Sequence, residues 1–313
     1  MFNNFVQRRK LYYLFSGVLI LLGILAMIYS FIRIGTPLLL GVDFLGGTRF
    51  EVQFTEAVTE AQIRDVFSEF DVSNPLVTAL QGQGLENAWQ VRTKFLTVET
   101  SRAIEEALAG VSPLTPGTTA VTNISPAIGN EVTRAALVAI LVVAAVILVY
   151  IMFVFRQVPH SFRYGACAVA ALFHDLLILF GFIAIMGVVA GWEVDALFLT
   201  AVLTVSGFSL QDTIIVFDRI RENLGKRQYR NYDFESIVNL SMQQTIKRSV
   251  ISQLNAMFIM LAILFFGGES IKPFIAVLLV GLLSGTYSSI FFATPLLVSW
   301  EKGEIPLLKP RPA

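Results

Sequence analysis

Four ionisable side chains stand in or beside stretches that otherwise carry none. His174 and Asp175 are flanked by Ala170-Ala171-Leu172-Phe173 and Leu176-Leu177-Ile178. Asp212 lies within Gly207-Phe208-Ser209-Leu210-Gln211-Asp212-Thr213, and Arg248 opens a further apolar run. A charge near the centre of a membrane helix costs about 2.5–3.5 kcal/mol on insertion scales, so such groups are kept for pairing or for chemistry. The chemistry these types support is proton relay. A poorly solvated carboxylate holds its proton more tightly and a neighbouring guanidinium loosens it, so movement of the arginine between partners loads and unloads the acid. Arginine itself stays charged and serves as the fixed counter-ion. Each proton crossing about 100 mV releases about 2.3 kcal/mol, so several drive a conformational cycle. Two other expectations compete. Asp175 and Asp212 could simply bond neighbouring helices, or share a proton as a hydrolytic pair. The Gly-x-Gly-Asp sequence expected of intramembrane aspartyl proteases is missing.

The elements that position these residues are membrane helices. The 313 residues are 55% hydrophobic and 15% charged, with positive mean hydropathy, too much apolar surface for one water-soluble core. Six runs are long enough to cross a hydrocarbon layer of about 30 Å. They are Leu11–Ile32, Ala135–Phe155, Tyr164–Ala190, Ala196–Phe217, Val250–Phe266 and Pro273–Val298. Lipid offers backbone groups no partners, so each run is helical. The first exceeds the 7–15 residues typical of a signal peptide core, roughly, and is expected to be retained.

Basic residues set the orientation. Arg8, Arg9 and Lys10, then Arg156 and Arg163, then Arg219 through Arg248, and last Lys302, Lys309 and Arg311 all fall on one side. That side is expected to be cytoplasmic and to hold both termini, with Asp218, Arg219, Arg221 and Glu222 pairing at the interface. The expected divisions are a cytoplasmic N-terminus with the first helix (1–32), an extracytoplasmic domain (33–133), a five-helix membrane bundle (134–300) and a disordered tail (301–313) with Pro306, Pro310 and Pro312.

Within 33–133 the pattern changes period. Phe50, Val52 and Phe54 alternate along a strand over Thr48–Phe54, and Ile63, Val66, Phe67 and Phe70 recur at helical spacing behind a Thr59/Gln62 capping pair. An extended stretch at Leu76–Leu80, a turn at Gln81–Gly84, a strand at Trp89–Phe95, a helix at Val98–Leu108 and a short strand at Ala120–Ile124 follow. That order predicts a small α+β, ferredoxin-like domain. Such a domain could bind an extended chain by strand addition or act as a structural cap.

The rest of the composition narrows the class. Lys plus Arg number 23, as do Asp plus Glu, which gives no support to a nucleic-acid partner. The single cysteine, Cys167, reads as a small buried residue, and neither His160 nor His174 has companions at metal-ligand spacing, so no metal is expected. Gly281, Gly285 and Ser289 recur every four residues and predict a close helix seam.

Two stretches resemble a known family. Gly41-Val42-Asp43-Phe44-Leu45-Gly46-Gly47 is similar to the motif that follows the first span in SecD and SecF proteins. Gly207 through Asn223 resembles the fourth span of the SecF family, with Gln211 in place of the usual asparagine and Phe208 in place of tyrosine. His174-Asp175 and the Thr245–Ser252 stretch with Arg248 agree in order along the chain. The resemblance implies a subunit of the resistance-nodulation-division superfamily in the bacterial inner membrane. Such a subunit joins SecD in a pseudo-symmetric bundle and works beside the SecYEG translocon and YidC on an emerging precursor polypeptide, with protons as coupling ion and no other cofactor. It also implies that Asp212 and Arg248 lie on the proton path, with Asp175 and His174 beside them, and that the chain is a transport subunit, not an enzyme. A small-solute or lipid proton antiporter of the same superfamily is the alternative, although such exporters usually carry two large external domains in one chain.

Overall fold

The computed structural model describes residues 5–73, 75–80, 84–268 and 271–305. The chain forms two compact units: one comprises the chain up to Leu38, Ala139–Trp192 and the chain from Leu197, and the other comprises Leu39–Val138 with Glu193–Ala196. The expected domain at 33–133 leaves out that last loop.

The first unit is helical. Among the described residues, six helices are long and apolar enough to cross a membrane. A single 3-10 turn, Val6–Arg8, leads into α1, Arg9–Ile34, which ends on Gly35 at φ +84°. Three helices of the second unit follow in the chain: α2, Val42–Leu45, α3, Glu60–Glu69, and α4, Val98–Val111. The remaining spans are α5, Pro126–Val154, α6, Ser161–Ala190, α7, Ala196–Leu224, and α8, Phe234–Phe266. The sixth span is built from α9, Lys272–Ser288, a wide π turn at Ser289–Ala293, and α10, Thr294–Glu301. Three helices run more than a full turn beyond their apolar runs. α5 starts at Pro126, where proline's fixed φ and missing N–H suit a first turn. α7 continues past Phe217 to bury Ile220 and Asn223. α8 begins at Phe234, well before Val250, because Ile237, Val238, Ser241, Met242 and Thr245 recur at helical spacing and are buried.

Helix packing in this unit turns on small residues. A Cβ built on Gly23 of α1 would lie 2.9 Å from the Gly181 Cα of α6, so the two backbones cross in direct contact. Where α1 starts and the last span ends, Arg9 pairs with Glu235 and Glu304, Lys302 pairs with Glu235, and Arg163 pairs with Glu301. The Val6 N–H donates to Asn239 at 3.0 Å, adding a neutral bond to this ionic cluster.

The second unit begins with α2, Val42–Leu45, and continues through β1 (Gly47–Gln53), α3 (Glu60–Glu69), β2 (Leu76–Ala79), β3 (Ala88–Thr93), α4 (Val98–Val111) and β4 (Ala120–Ile124). Its antiparallel sheet has the order β2-β3-β1-β4. In register, Phe50 faces Val91 on one side and Val121 on the other. Phe50, Val52 and Phe54 enter the core with Ile63, Val66 and Phe67 of α3 and Ile104 and Leu108 of α4. Burying each such side chain contributes about 1.5–3 kcal/mol. Phe50 meets Phe67 edge-on, with centroids 5.2 Å apart. The Thr59/Gln62 capping box is formed, and Thr97 caps α4 in the same way through the Thr100 N–H. β3 stops at Thr93, short of the Phe95 expected from alternation. Positions 81–83 of the expected turn and the proline tail from 306 lie outside the described residues.

Candidate functional site

Among the described residues, Asp175 is the most heavily bonded carboxylate in the helical unit. It is 1% exposed on α6, and hydroxyls from two further helices converge on it. Its Oδ1 accepts from Ser284 at 2.6 Å, and its Oδ2 accepts from Ser209 at 2.7 Å and Ser288 at 2.8 Å. The His174 Nδ1 lies 3.1 Å from Oδ1 and completes the set. Two partners on each oxygen use the lone-pair capacity of an ionised carboxylate, so a proton can join only if one donor turns away.

His174 extends this network to α1. Its Nε2 lies 3.0 Å from the Ser16 hydroxyl, which lies 3.4 Å from the Tyr287 hydroxyl, and Tyr287 donates to the Tyr12 carbonyl at 2.9 Å. Ser16 has one proton to give. When it gives that proton to Nε2, the imidazole is neutral and its Nδ1–H faces Asp175. When the proton turns to Tyr287, Ser16 accepts from Nε2–H, which an imidazolium requires if Nδ1–H still faces Asp175. Rotation of one hydroxyl thus accommodates either charge state of the ring. The Phe292 ring, 4.8 Å away between centroids, closes one side of the imidazole.

Asp212 is held differently. It is 2% exposed on α7, and its one hydrogen-bond partner among the described residues is the Gln253 amide of α8, 2.7 Å from Oδ2. Hydroxyls link its surroundings to the first carboxylate. The hydroxyl of Thr213, the next residue, lies 3.0 Å from both the Ser209 carbonyl and the Ser289 hydroxyl, either of which can take its one proton, while the Ser209 hydroxyl bonds Asp175. The two aspartates are not hydrogen-bonded to each other, so they are not arranged as a proton-sharing pair.

Arg248 stands apart from both acids. Among the described residues no carboxylate lies within ion-pair distance of it, and Gln253 holds the position beside Asp212 that the sequence offered to the arginine. Arg248 is exposed and lines a shallow groove of about 420 Å³ with Tyr150, Gly207, Leu210, Gln211, Ile214 and Ile215. Ser252 and Asn255 are exposed on the same face of α8, one and two turns on.

The small-residue seam locks α9 onto α7. A Cβ on Gly281 would overlap the Val205 side chain, and one on Gly285 would come within 3.0 Å of Ser209 Cβ. The Ser289 hydroxyl donates its one proton to the Gly285 carbonyl at 2.7 Å, with the Ser209 carbonyl of α7 as the second acceptor in reach at 3.1 Å. The same close approach that makes the seam brings Ser284 and Ser288 within reach of Asp175. Cys167 is buried and free, and no cluster of three or more metal-ligating side chains occurs among the described residues.

The glycine-rich motif lies in the other unit, and each of its members meets a different piece of backbone. The Gly41 N–H donates to the Val194 carbonyl at 2.8 Å, and a Cβ there would meet that carbonyl at 3.1 Å. Asp43 accepts from the Ala196 N–H, the first residue of α7, at 3.0 Å. Gly46 and Gly47 both have positive φ, +73° and +135°, and a Cβ would collide with Pro126 on the first and with the Thr93 carbonyl on the second. Beside them Glu193 and Arg92 form an ion pair, Oε1 to Nε 3.0 Å, with side chains 10% and 13% exposed. Gln90 also donates to Glu193, and Arg92 Nη1 donates to the Leu40 carbonyl at 2.7 Å. Burial pushes Glu193 above the usual carboxylate range against the pull of Arg92, Arg49 and Gln90, with Asp195 adding to the rise. Burial likewise lowers Arg92, with Arg49 adding to the fall, against the pull of Glu193. Desolvation therefore outweighs attraction in both members of the pair.

The serines around Asp175, the amide beside Asp212 and the Arg92–Glu193 pair were not anticipated from the sequence. One signal was available for the first: Ser284 and Ser288 are polar, four residues apart, and sit in an apolar helix.

Comparison with known proteins shows the family of the chain. The family model described as protein export membrane protein SecD/SecF, C-terminal, matches residues 103–303, and that of the SecD/SecF GG motif matches residues 34–58. Protein translocase subunit SecF of Thermobaculum terrenum is 41% identical over 95% of this chain and 94% of its own length. The SecF subunit of Anaerolinea thermophila is 38% identical over 96% and 95%. The crystal structure of SecDF, a translocon-associated membrane protein from Thermus thermophilus, superposes with a TM-score of 0.78 at 28% identity over 96% of this chain. The chain spans 38% of that longer protein.

Proposed function

We propose that this chain, which belongs to the SecF family of protein translocase subunits, couples inward proton movement to the late steps of polypeptide export through a SecYEG-type channel. The observation that carries the proposal is Asp212, a carboxylate buried within a membrane span and held by a single neutral amide. An acid so lightly bonded changes its proton without dismantling a network. Arg248 is the mobile counter-ion in this reading, brought to Asp212 in another state of the cycle, and Asp175 with His174 and Ser16 forms a second station along the hydroxyls.

The exposed polar face of α7 and α8 supports a membrane partner. Gln211, Arg248, Ser252 and Asn255 lie within spans where contact with lipid is costly, so a second helical bundle covers them. The SecDF protein of known structure continues well beyond the part this chain matches, and a SecD subunit is the occupant we assign. YidC and the emerging precursor are the further partners, and protons are the only coupling ion. The strand order β2-β3-β1-β4, with α3 and α4 as crossovers, supports a ferredoxin-like reading of the external domain. Arg9, Arg163 and Lys302, gathered where α1 starts and the last span ends, support an inner-membrane protein with both termini in the cytoplasm.

The test is Asp212→Asn in membrane vesicles carrying the full translocase, with precursor completion measured with and without an imposed proton gradient. The expected result is loss of the gradient-driven stimulation with gradient-independent export intact. Full retention of the stimulation removes Asp212 from the proton path.

A further inference from the structure

Two hydrogen bonds fix how α7 and α8 lie against each other. Gln253 of α8 donates to Asp212 at 2.7 Å, and Asn223 of α7 donates to the Ser241 hydroxyl at 2.9 Å. Asp212 and Asn223 are 11 positions apart on α7, and Ser241 and Gln253 are 12 apart on α8. The helices therefore run antiparallel in step over about 17 Å. In that register Ser249 falls opposite Val216, and Thr245 opposite Ile220. All four are buried. One wall of the seam is thus apolar, while the other presents Ser241, Thr245, Ser249 and Gln253, spaced four residues apart.

A hydroxyl on a helix can return its proton to the carbonyl one turn back, and two members of the row do so. Ser241 donates to the Ile237 carbonyl at 2.8 Å, and Thr245 to the Ser241 carbonyl at 2.9 Å. Ser249 does not. It is 0% exposed, and its Oγ has no hydrogen-bond partner among the described residues. The register supplies the reason on the α7 side, where the residue opposite is a valine. Buried polar groups that no protein group satisfies are met by ordered water. The row suits one: Ser249 is about 6 Å of helix rise from Thr245 and from Gln253, a gap that one water spans with two bonds of about 2.8 Å. Among the described residues Gln253 is the one partner of Asp212 and it engages Oδ2, which leaves Oδ1 to exchange a proton with that water.

We infer that this hydroxyl row is the route by which the proton held at Asp212 leaves toward the start of α8, with Ser249 as the water-binding step at its centre. Asp212 gives its proton to a water held on the Ser249 hydroxyl. Each water or hydroxyl along the row accepts a proton on a lone pair and passes on its own, and bulk water beside Asn223 takes the last one. Only O–H bonds are made and broken, and the row ends with the protons it began with. Its far end meets solvent: Lys226 donates to Asn223 and pairs with Glu222, whose side chain is 47% exposed. In the orientation proposed above that end lies in the cytoplasm. The row shares no member with the hydroxyls around Asp175, so it is an exit of its own from Asp212.

The inference rests on the proton-coupled reading above, and one set of variants separates the two. Ser249→Thr keeps a hydroxyl, and Ser249→Val puts a methyl group in its place within the same branched shape, so packing is matched between them. Both are placed in membrane vesicles carrying the full translocase. Gradient-driven precursor completion is measured, together with proton release reported by a pH-sensitive dye on the side where α8 starts. Ser249→Thr is expected to keep both rates, and Ser249→Val to lose most of each while it co-purifies with its partners as the wild type does. Equal rates in the two variants, both high or both low, overturn the route, because the hydroxyl then makes no difference. Should either variant fail to accumulate, Ser249→Ala decides: loss of most gradient-driven export supports the route, and a wild-type rate overturns it. Asp212→Asn in the same vesicles is the reference. If it keeps full stimulation, the proton-coupled reading itself has failed; if it loses stimulation while Ser249→Val keeps it, only the exit route has failed.

Discussion

Asp175 and Asp212 are both buried, both in apolar helices and both within reach of a serine- and threonine-lined seam, yet they are built to opposite specifications. Asp175 gathers three hydroxyls and an imidazole from three helices, so its position and charge are specified by α6, α7 and α9 together. Asp212 has one amide from α8. A network with every acceptor site used resists change because any rearrangement strands several groups at once. A single bond is exchanged easily. The difference teaches that burial of a charge alone does not mark the working acid; the number of donors committed to it separates the residue that organises the bundle from the residue free to act.

The sharpest way to break the comparison is to remove each carboxylate and measure stability. Asp175→Ala loses three interhelical bonds, and at roughly 0.6 kcal/mol per bond in membrane helices the unfolding free energy is expected to fall by about 2 kcal/mol in a denaturant titration of the purified protein. A smaller loss, about 0.6–1.7 kcal/mol, is expected for Ser16→Ala, which deprives His174 of the hydroxyl that serves both of its charge states. Asp212→Asn keeps an acceptor for Gln253 and is expected to change stability by less than about 0.6 kcal/mol, even though it is the variant expected to abolish gradient-driven export. Equal stability losses at Asp175 and Asp212 would erase the distinction.

Much of this was legible from residue order, and the physical reason is the same in each case. Apolar length announces a span because lipid admits only chain that satisfies its own backbone. Phe50, Val52 and Phe54 announce a half-buried strand because side chains alternate, and all three are in the core. Thr59 and Gln62 announce a helix start because their side chains reach the first free N–H groups, as they do. Asp175 and Asp212 stood out because charge is rare in such runs. What stayed hidden is neutral or distant. Gln253 and the serines of the cage are ordinary residues in a membrane helix until their neighbours are known. Gln90 and Glu193 meet across 103 positions of sequence, which no local pattern records. The first half of α8 is too polar for an apolar-run reading although its buried face repeats with helical period. Arg248 shows the reverse limit: its sequence position offers it to Asp212, while its helix turns it outward.

The wide turn at Ser289–Ala293 bears on how this protein tolerates change in length. One turn of π geometry accommodates an additional residue without breaking the helix, and the Thr294 hydroxyl spans it to the Ser289 carbonyl at 2.8 Å. Everything after it is rotated by roughly 100° relative to an uninterrupted α-helix, one residue's worth of twist. That rotation sets which sides of Thr294, Pro295, Leu297 and Val298 are buried. Deleting a single residue between Ser289 and Ala293 would restore a regular α-helix with those four still facing inward, whereas regularising the turn at unchanged chain length would rotate them by about 100°. The phase of the last span thus depends on the wide turn for as long as its residue count is kept.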